Sequence, residues 1–296
     1  MTLWQMQLAK WIRFACVAEV LSPKPGNVNP TSSFGDTNVH HFLQSADVIS
    51  PLLAVAETQP VGRTILNAVT ATNQQVGRNT NLGIILLLAP LAKVPPHQSL
   101  SDGVVTVLDR MTVVDSDHIY QAIRLVSPGG LGDADEQDVS QAPSLPFREC
   151  MRLAADRDLI AAEYAHGFPI VLSRGIELLR EVASSITNQL QQVTALAIRL
   201  LAEFHDSLIV RKCGSQIADE ARQRARGVLK NDWPHSEDAR LQLAELDAFL
   251  RDDGNRRNPG TTADLIAAIL FSAQREGWWT ANEDFWESYL AESGIR

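Results

Sequence analysis

Apolar residues in this chain recur at three- and four-residue steps, and almost nowhere at two. Trp4, Leu8, Trp11, Ala15 and Ala18 set the pattern over residues 3–21, which reads as an amphipathic helix. The same period predicts helices over 40–57, with Pro51 a kink, and over 61–76, 80–93, 100–111 and 117–126. After a loop from Ser127 to about Pro146 it resumes over 147–166, 170–185, 188–204, 214–229, 236–251, 261–276 and 280–292. Val104 to Leu108 is the best strand candidate, and it fits a helix equally well. The expected fold is therefore all-α: a single domain over residues 1–296 of about a dozen helices, with its site at loop-to-helix junctions.

With 296 residues, 45% of them hydrophobic, the chain can bury a sizeable core and is not a disordered polymer. Its net charge of -9 argues against a general nucleic-acid binder, which needs a basic face. An acidic surface still permits one basic pocket for an anion. Cys16, Cys150 and Cys213 are odd in number and far apart, so free thiols are expected rather than a disulfide framework. The most apolar run, Leu82 to Ala92, has eleven residues against the ~20 needed to span a bilayer, and reads as a buried helix. No apolar leader with a small-residue cleavage site precedes it, so a cytoplasmic protein without membrane contact is expected.

The common catalytic signatures are missing: no GxxxxGK[ST], HExxH, GxSxG or GxGxxG, and no metal-ligand spacing among the seven histidines. Five other segments stand out, each at a loop-to-helix junction. Lys24-Pro25-Gly26-Asn27-Val28, with Asp36 further on, reads as a stiff loop carrying a phosphate-seeking lysine, or as a plain Pro/Gly turn with a solvated one. Gly77-Arg78-Asn79-Thr80-Asn81 precedes the buried helix, whose N-terminal amides suit an anion; Asn79 or Thr80 equally serves as its N-cap. Ser127-Pro128-Gly129-Gly130-Leu131-Gly132-Asp133, with Asp135, Glu136 and Asp138, could approach a ligand closely and help hold Mg²⁺, or be an acidic surface loop.

The fourth segment sets Asp206 near one helical turn from Arg211 and Lys212, as a site or as an ion pair. The fifth, Arg256-Arg257-Asn258-Pro259-Gly260-Thr261-Thr262-Ala263-Asp264, puts two arginines before a helix N-terminus. Thr261 and Asp264 also fit a capping box, which would explain the carboxylate without any chemistry. Together the five segments point to a polyphosphate ligand carried with Mg²⁺.

The order of these segments resembles the triphosphoribosyl-dephospho-coenzyme A synthase family. The matching stretches are KPGNV at 24–28, NTNLGIILLLAPLA at 79–92, the glycine-rich loop at 127–136, DSLIVRK at 206–212 and NPGTTADLIAAILF at 258–271. KPGNV and NPGTTADL are the more specific. The resemblance implies an all-α fold and a transfer of the triphosphoribosyl group of ATP to a hydroxyl of 3'-dephospho-coenzyme A, with adenine released. The chain departs from the citrate-lyase members, which have NTHKG at Asn79–Gly83, DDTN at His205–Leu208 and NxSPGGSADL at the fifth segment. It looks more like a divergent branch, also found in organisms that make tetrahydromethanopterin, so a ribitol hydroxyl of such a precursor is the alternative acceptor.

That chemistry passes through an oxocarbenium-like transition state and needs three things: cations on the triphosphate, a base for the acceptor, and help for the departing adenine. Lys24, Arg78, Arg211, Lys212 and Arg257 are the expected phosphate contacts. Asp133, Glu136 and Asp206 are expected to bind metal or act as base, with Asp36 a further carboxylate. Gly26, Asn27, Asn79, Thr80, Gly129, Gly130, Asn258, Gly260 and Thr261 are expected to shape the nucleotide pocket. Two rivals stay open: a Mg²⁺-dependent nucleotide hydrolase, and a non-catalytic nucleotide-binding module. Trp278, Trp279 and Trp286 could form a homodimer contact or pack the last helix.

Overall fold

A computed structural model describes residues 1–35, 37–129, 132 and 134–292. Among them are fifteen α-helices, one 3₁₀ turn, one π-helical turn and no strand. Helix α1 (Leu3–Leu21) opens with a reciprocal cap: Thr2 Oγ1 accepts from the amide of Gln5, and the Gln5 side chain accepts from the amide of Thr2. It stops where Ser22 turns extended before Pro23 and Pro25. Helices α2 (Val39–Leu53) and α3 (Val61–Val76) follow, and Gly77 closes α3 in the left-handed region at φ 73°. The helix expected over 40–57 thus ends at Leu53; Pro51 sits inside its last turn, and a 3₁₀ turn at Ala56–Thr58 replaces the rest.

Helix α4 (Leu82–Ala92) is buried on nearly all sides, as its unbroken apolar run requires. Helices α5 (Leu100–Asp109) and α6 (Val113–Val126) come next. Helix α6 starts four residues earlier than expected because Thr112 and Asp115 cap it. Asp115 Oδ1 also accepts the amide of Gly62 at 2.8 Å, which ties α6 to α3.

The apolar period predicts one long helix over 147–166. The chain instead forms α7 (Phe147–Arg152), a turn, and α8 (Leu159–His166). Asp158 makes the break useful: its Oδ1 accepts the amide of Ala161 at 3.0 Å and starts α8. A π-turn at Ile170–Arg174 leads into α9 (Gly175–Ser185), followed by α10 (Gln189–Glu203). The segment from Ser207 to Cys213, expected as a junction, is itself a short helix, α11. Then come α12 (Ser215–Lys230), α13 (Glu237–Asn255, with non-helical dihedrals at Asp252–Gly254), α14 (Gly260–Arg275) and α15 (Glu283–Glu292).

Helix α14 is the centre of the molecule. Leu265 through Gln274 are all buried, and it packs against α1, α4, α9, α10 and α11. A second apolar cluster joins α10, α11, α12 and α13 through Ile198, Ile209, Ala221, Val228, Leu246 and Leu250. No described helix is long and apolar enough to cross a membrane. All three cysteines are free. Trp279 and Trp286 point inward and donate to Gln192 and Gln189 at 2.8 and 2.9 Å, so core packing accounts for them. Trp278 alone of the three tryptophans is exposed, under the guanidinium of Arg180.

Candidate active site

One cavity of about 790 Å³ takes lining residues from all five segments that the sequence singled out. That size is in the ordinary range for a small-molecule site. Its walls include Asn27 and Val28, Asn79 to Ile84, Gly129 and Glu136, Ser207 to Leu208 with Arg211 and Lys212, and Asn258, Gly260, Thr261 and Asp264.

Two of these segments meet: Asn27 Nδ2 donates to the carbonyl of Pro259 at 3.5 Å, and α13 clamps the first segment from the side. The amide of Gly26 donates to Asp247 Oδ1 at 2.7 Å, and Arg251 donates to the carbonyl of Asn27 at 2.7 Å. Gly26 is left-handed at φ 73°, and a Cβ there would press on Leu250 and on the ring of Pro259. The KPGNV loop therefore lies directly on the NPG turn, and glycine is what lets it.

Three helices of eight residues or more begin on the cavity wall: α4, α8 and α14. Their amides and dipoles make that wall favourable to negative charge. Asn79 Oδ1 accepts the amide of Leu82 at 3.2 Å, although Asn81 is the capping position of α4. The hydroxyl of Thr80 is 2.5 Å from that of Ser45.

The expected cations divide. Arg211 and Lys212 line the cavity. The Nη1 of Arg211 stands 3.6 Å from Asp158 Oδ2, while its buried Nε has no hydrogen-bond partner among the described residues. Lys212 lies beside Gly129, and burial, then the charge of Arg211, pulls its pKa below the usual lysine value. The other three are turned elsewhere. Lys24 is fully buried, 2.9 Å from Glu19 Oε1, and donates to the carbonyls of Glu19 and Ser22. It is a structural ion pair rather than an open phosphate contact. Arg257 stacks on Phe249 and pairs with Asp252 at 3.4 Å. Arg78 donates to Thr37 Oγ1 at 3.3 Å, and Thr37, not Arg78, is on the wall.

The carboxylates are rearranged too. Asp206 is buried behind the wall with both oxygens engaged. Oδ1 accepts the amides of Leu208 and Ile209, and Oδ2 accepts the amide and hydroxyl of Thr262. These bonds make it an anchor between α11 and α14 instead of an open metal ligand or base. Burial raises its pKa against the pull of those donors. Glu136 is exposed on the cavity rim. Asp36, Gly130 and Asp133 lie outside the described residues.

Sequence reading missed Asp264. Helix α14 starts at Gly260, so Thr261 and Asp264 form no capping box; Asp264 is a turn inside, half-buried, on the cavity wall. A Cβ on Gly83 would overlap its carboxyl, so glycine makes the seat for it. Burial, then the charges of Glu19, Asp206 and Asp158, push its pKa well above the usual carboxylate value, against a lesser downward pull from the backbone of Ile84 at the start of α4. Glu19 lines the same cavity and is also raised by burial, with Lys24 pulling the other way. The only sequence signal was a carboxylate placed inside a strongly apolar helix: Asp264 in TTADLIAAILF, Glu19 in CVAEVL.

Among the described residues, no group of three or more His, Cys, Asp or Glu is arranged to cage a metal. Mg²⁺ needs no such cage, since it is commonly held by one or two carboxylates together with substrate phosphates. Glu136, an exposed hard-oxygen donor on the rim, fits that pattern.

A family model for CitG, ATP:dephospho-CoA triphosphoribosyl transferase, matches residues 5–283. A protein of Stutzerimonas stutzeri is 28% identical over 257 residues, 85% of each chain. One of Photobacterium profundum is 25% identical over 277 residues, 86% of this chain and 82% of that one. Both are named "Probable 2-(5''-triphosphoribosyl)-3'-dephosphocoenzyme-A synthase". A crystal structure of a candidate triphosphoribosyl-dephospho-CoA synthase from Archaeoglobus fulgidus superposes with a TM-score of 0.63 at 30% identity. It covers 80% of this chain and 100% of its own.

Proposed function

This chain belongs to the ATP:dephospho-CoA triphosphoribosyl transferase family, and from that premise we propose that it moves the 5-triphosphoribosyl group of ATP to a hydroxyl of 3'-dephospho-coenzyme A and releases adenine. The observation that carries the reading is the single cavity lined by all five segments. Arg211 and Lys212, with the starts of α4, α8 and α14, bind the triphosphate. Asn27, Asn79, Thr80, Asn258, Gly260 and Thr261 shape the pocket around the nucleotide. Phe34, Phe42, Ile123, Val126, Phe147 and Met151 give it an apolar share that suits adenine or a pantetheine arm. Mg²⁺ held by Glu136 and the phosphates would neutralise part of the triphosphate charge.

The test is incubation of the protein with ATP, Mg²⁺ and 3'-dephospho-coenzyme A, followed by chromatography and mass spectrometry. Adenine and an adduct heavier by one triphosphoribosyl group are expected. Phosphate or diphosphate release without adenine would instead mark a hydrolase, and ATP binding without turnover a binding module. Adenine formed only when a tetrahydromethanopterin precursor replaces the coenzyme would reassign the acceptor.

A further inference from the structure

We propose that Asp264 is the general acid that protonates the departing adenine, an inference that rests on the transferase reading above. Three observations carry it. Asp264 is on the wall of the cavity that would hold the nucleotide. Its carboxyl occupies a seat that exists only because residue 83 has no Cβ. It has no ion-pair cation among the described residues, whereas Glu19 has Lys24 at 2.9 Å.

The charges around it explain what such a carboxyl is for. From α1 it faces Glu19, with Lys24 behind, and the buried thiol of Cys16, which burial and the carboxylates of Glu19 and Asp264 keep protonated. From the starts of α8 and α11 it faces Asp158, paired with Arg211, and Asp206. Every carboxylate in this set opposes a charge on Asp264. Two carboxyls of one cavity are thereby set apart: Lys24 favours the ionised form of Glu19, whereas burial and the neighbouring carboxylates favour the protonated form of Asp264.

The ribose C1'–N9 bond of ATP breaks, and its electron pair leaves with adenine. The carboxyl O–H of Asp264 gives its proton to a ring nitrogen of that base. The acceptor oxygen forms the new bond to C1', and its proton goes to water. Asp264 is then reprotonated from water through the open cavity. The net change is one proton moved from acceptor to adenine.

The test compares wild type and Asp264→Asn on ATP and on N7-methylated ATP, whose cationic base departs neutral and needs no acid. With ATP, the variant should lose at least 100-fold in kcat while KM stays within about threefold. On the methylated substrate the loss should shrink below tenfold. The wild-type kcat on ATP should fall along a limb as pH rises through the titration of Asp264, and Glu19→Gln, which removes a charge that opposes its ionisation, should move that limb to lower pH. Gly83→Ala keeps Asp264 but displaces its carboxyl, and should show the same substrate-dependent loss in a protein with wild-type circular dichroism. Equal losses on both substrates, or Asp264→Asn within threefold of wild type on ATP, would overturn the assignment alone. No adenine from the wild type with any acceptor would overturn the transferase reading, and the assignment with it.

Discussion

Oδ2 of Asp206 accepts both the amide and the hydroxyl of Thr262, at 2.7 and 2.8 Å, across 56 residues of sequence. Because Oδ1 caps α11, one carboxylate fixes the starts of two helices that wall the cavity.

Asp206→Ala leaves the amides of Leu208, Ile209 and Thr262 without their acceptor. Unsatisfied groups of this kind cost ~1–3 kcal/mol each. A loss of about 3 kcal/mol is expected, seen as a lower urea midpoint with an unchanged slope. A loss under about 0.5 kcal/mol, the size of an ordinary surface change, would refute the anchoring role.

Lys24→Met strands the buried carboxylate of Glu19. Breaking a buried pair from one side costs about 3–5 kcal/mol. The double variant Glu19→Gln, Lys24→Met should regain at least half of that in the same unfolding assay. Strict additivity of the two single changes would reject the pair as an energetic unit.

Arg211→Ala should raise KM for ATP about tenfold, or ~1.4 kcal/mol of binding, with little change in unfolding midpoint. Arg211→Lys should recover part of it, because it keeps the charge but not the planar fork. Initial rates of adenine release against ATP concentration decide this, and a KM within twofold of wild type counts against a phosphate contact.

Glu163 is fully buried, and its two oxygens accept the amides of Ile170 and Val171, each at 2.9 Å. Burial outweighs those donors and pushes its pKa up to about 7. Between its ordinary value of about 4.3 and about 7, the folded chain keeps a proton that the unfolded chain has lost. Stability should therefore fall as pH rises through that window and level off above it. Glu163→Gln should remove a slope of roughly 1 kcal/mol per pH unit. Identical slopes in wild type and variant between pH 5 and 7 would contradict the raised pKa.

The helices were legible because a 3.6-residue period survives in sequence wherever one face is buried, as in α3, while α4 showed itself by its unbroken apolar run. Helix α11 was not, since seven residues are too few to display a period. The break before α8 was hidden because Leu153 and Ala154 continue the apolar pattern through the turn. The five site segments were legible as Pro/Gly junctions, but which charges face the cavity was not. Lys24 turns back onto Glu19, five residues earlier, a contact that no periodicity encodes. Asp264 matched a capping pattern with Thr261 as its cap, two residues past the true cap at Pro259. Direction of a side chain is decided by packing from distant segments, and Gly83 does that for Asp264 from 181 positions away.

Helix α14 is the centre of the fold, yet everything from α1 to α13 is made before it on the ribosome. A nascent chain short of residue 264 lacks both the middle of its core and the last wall of its cavity. The cluster of α10 to α13 and the pairing of α1 with α2 and of α2 with α3 need no residue of α14, but the core between them does. Completion of the central core and closure of the cavity therefore depend on the same late-made helix, so a chain that stops short of it lacks both at once.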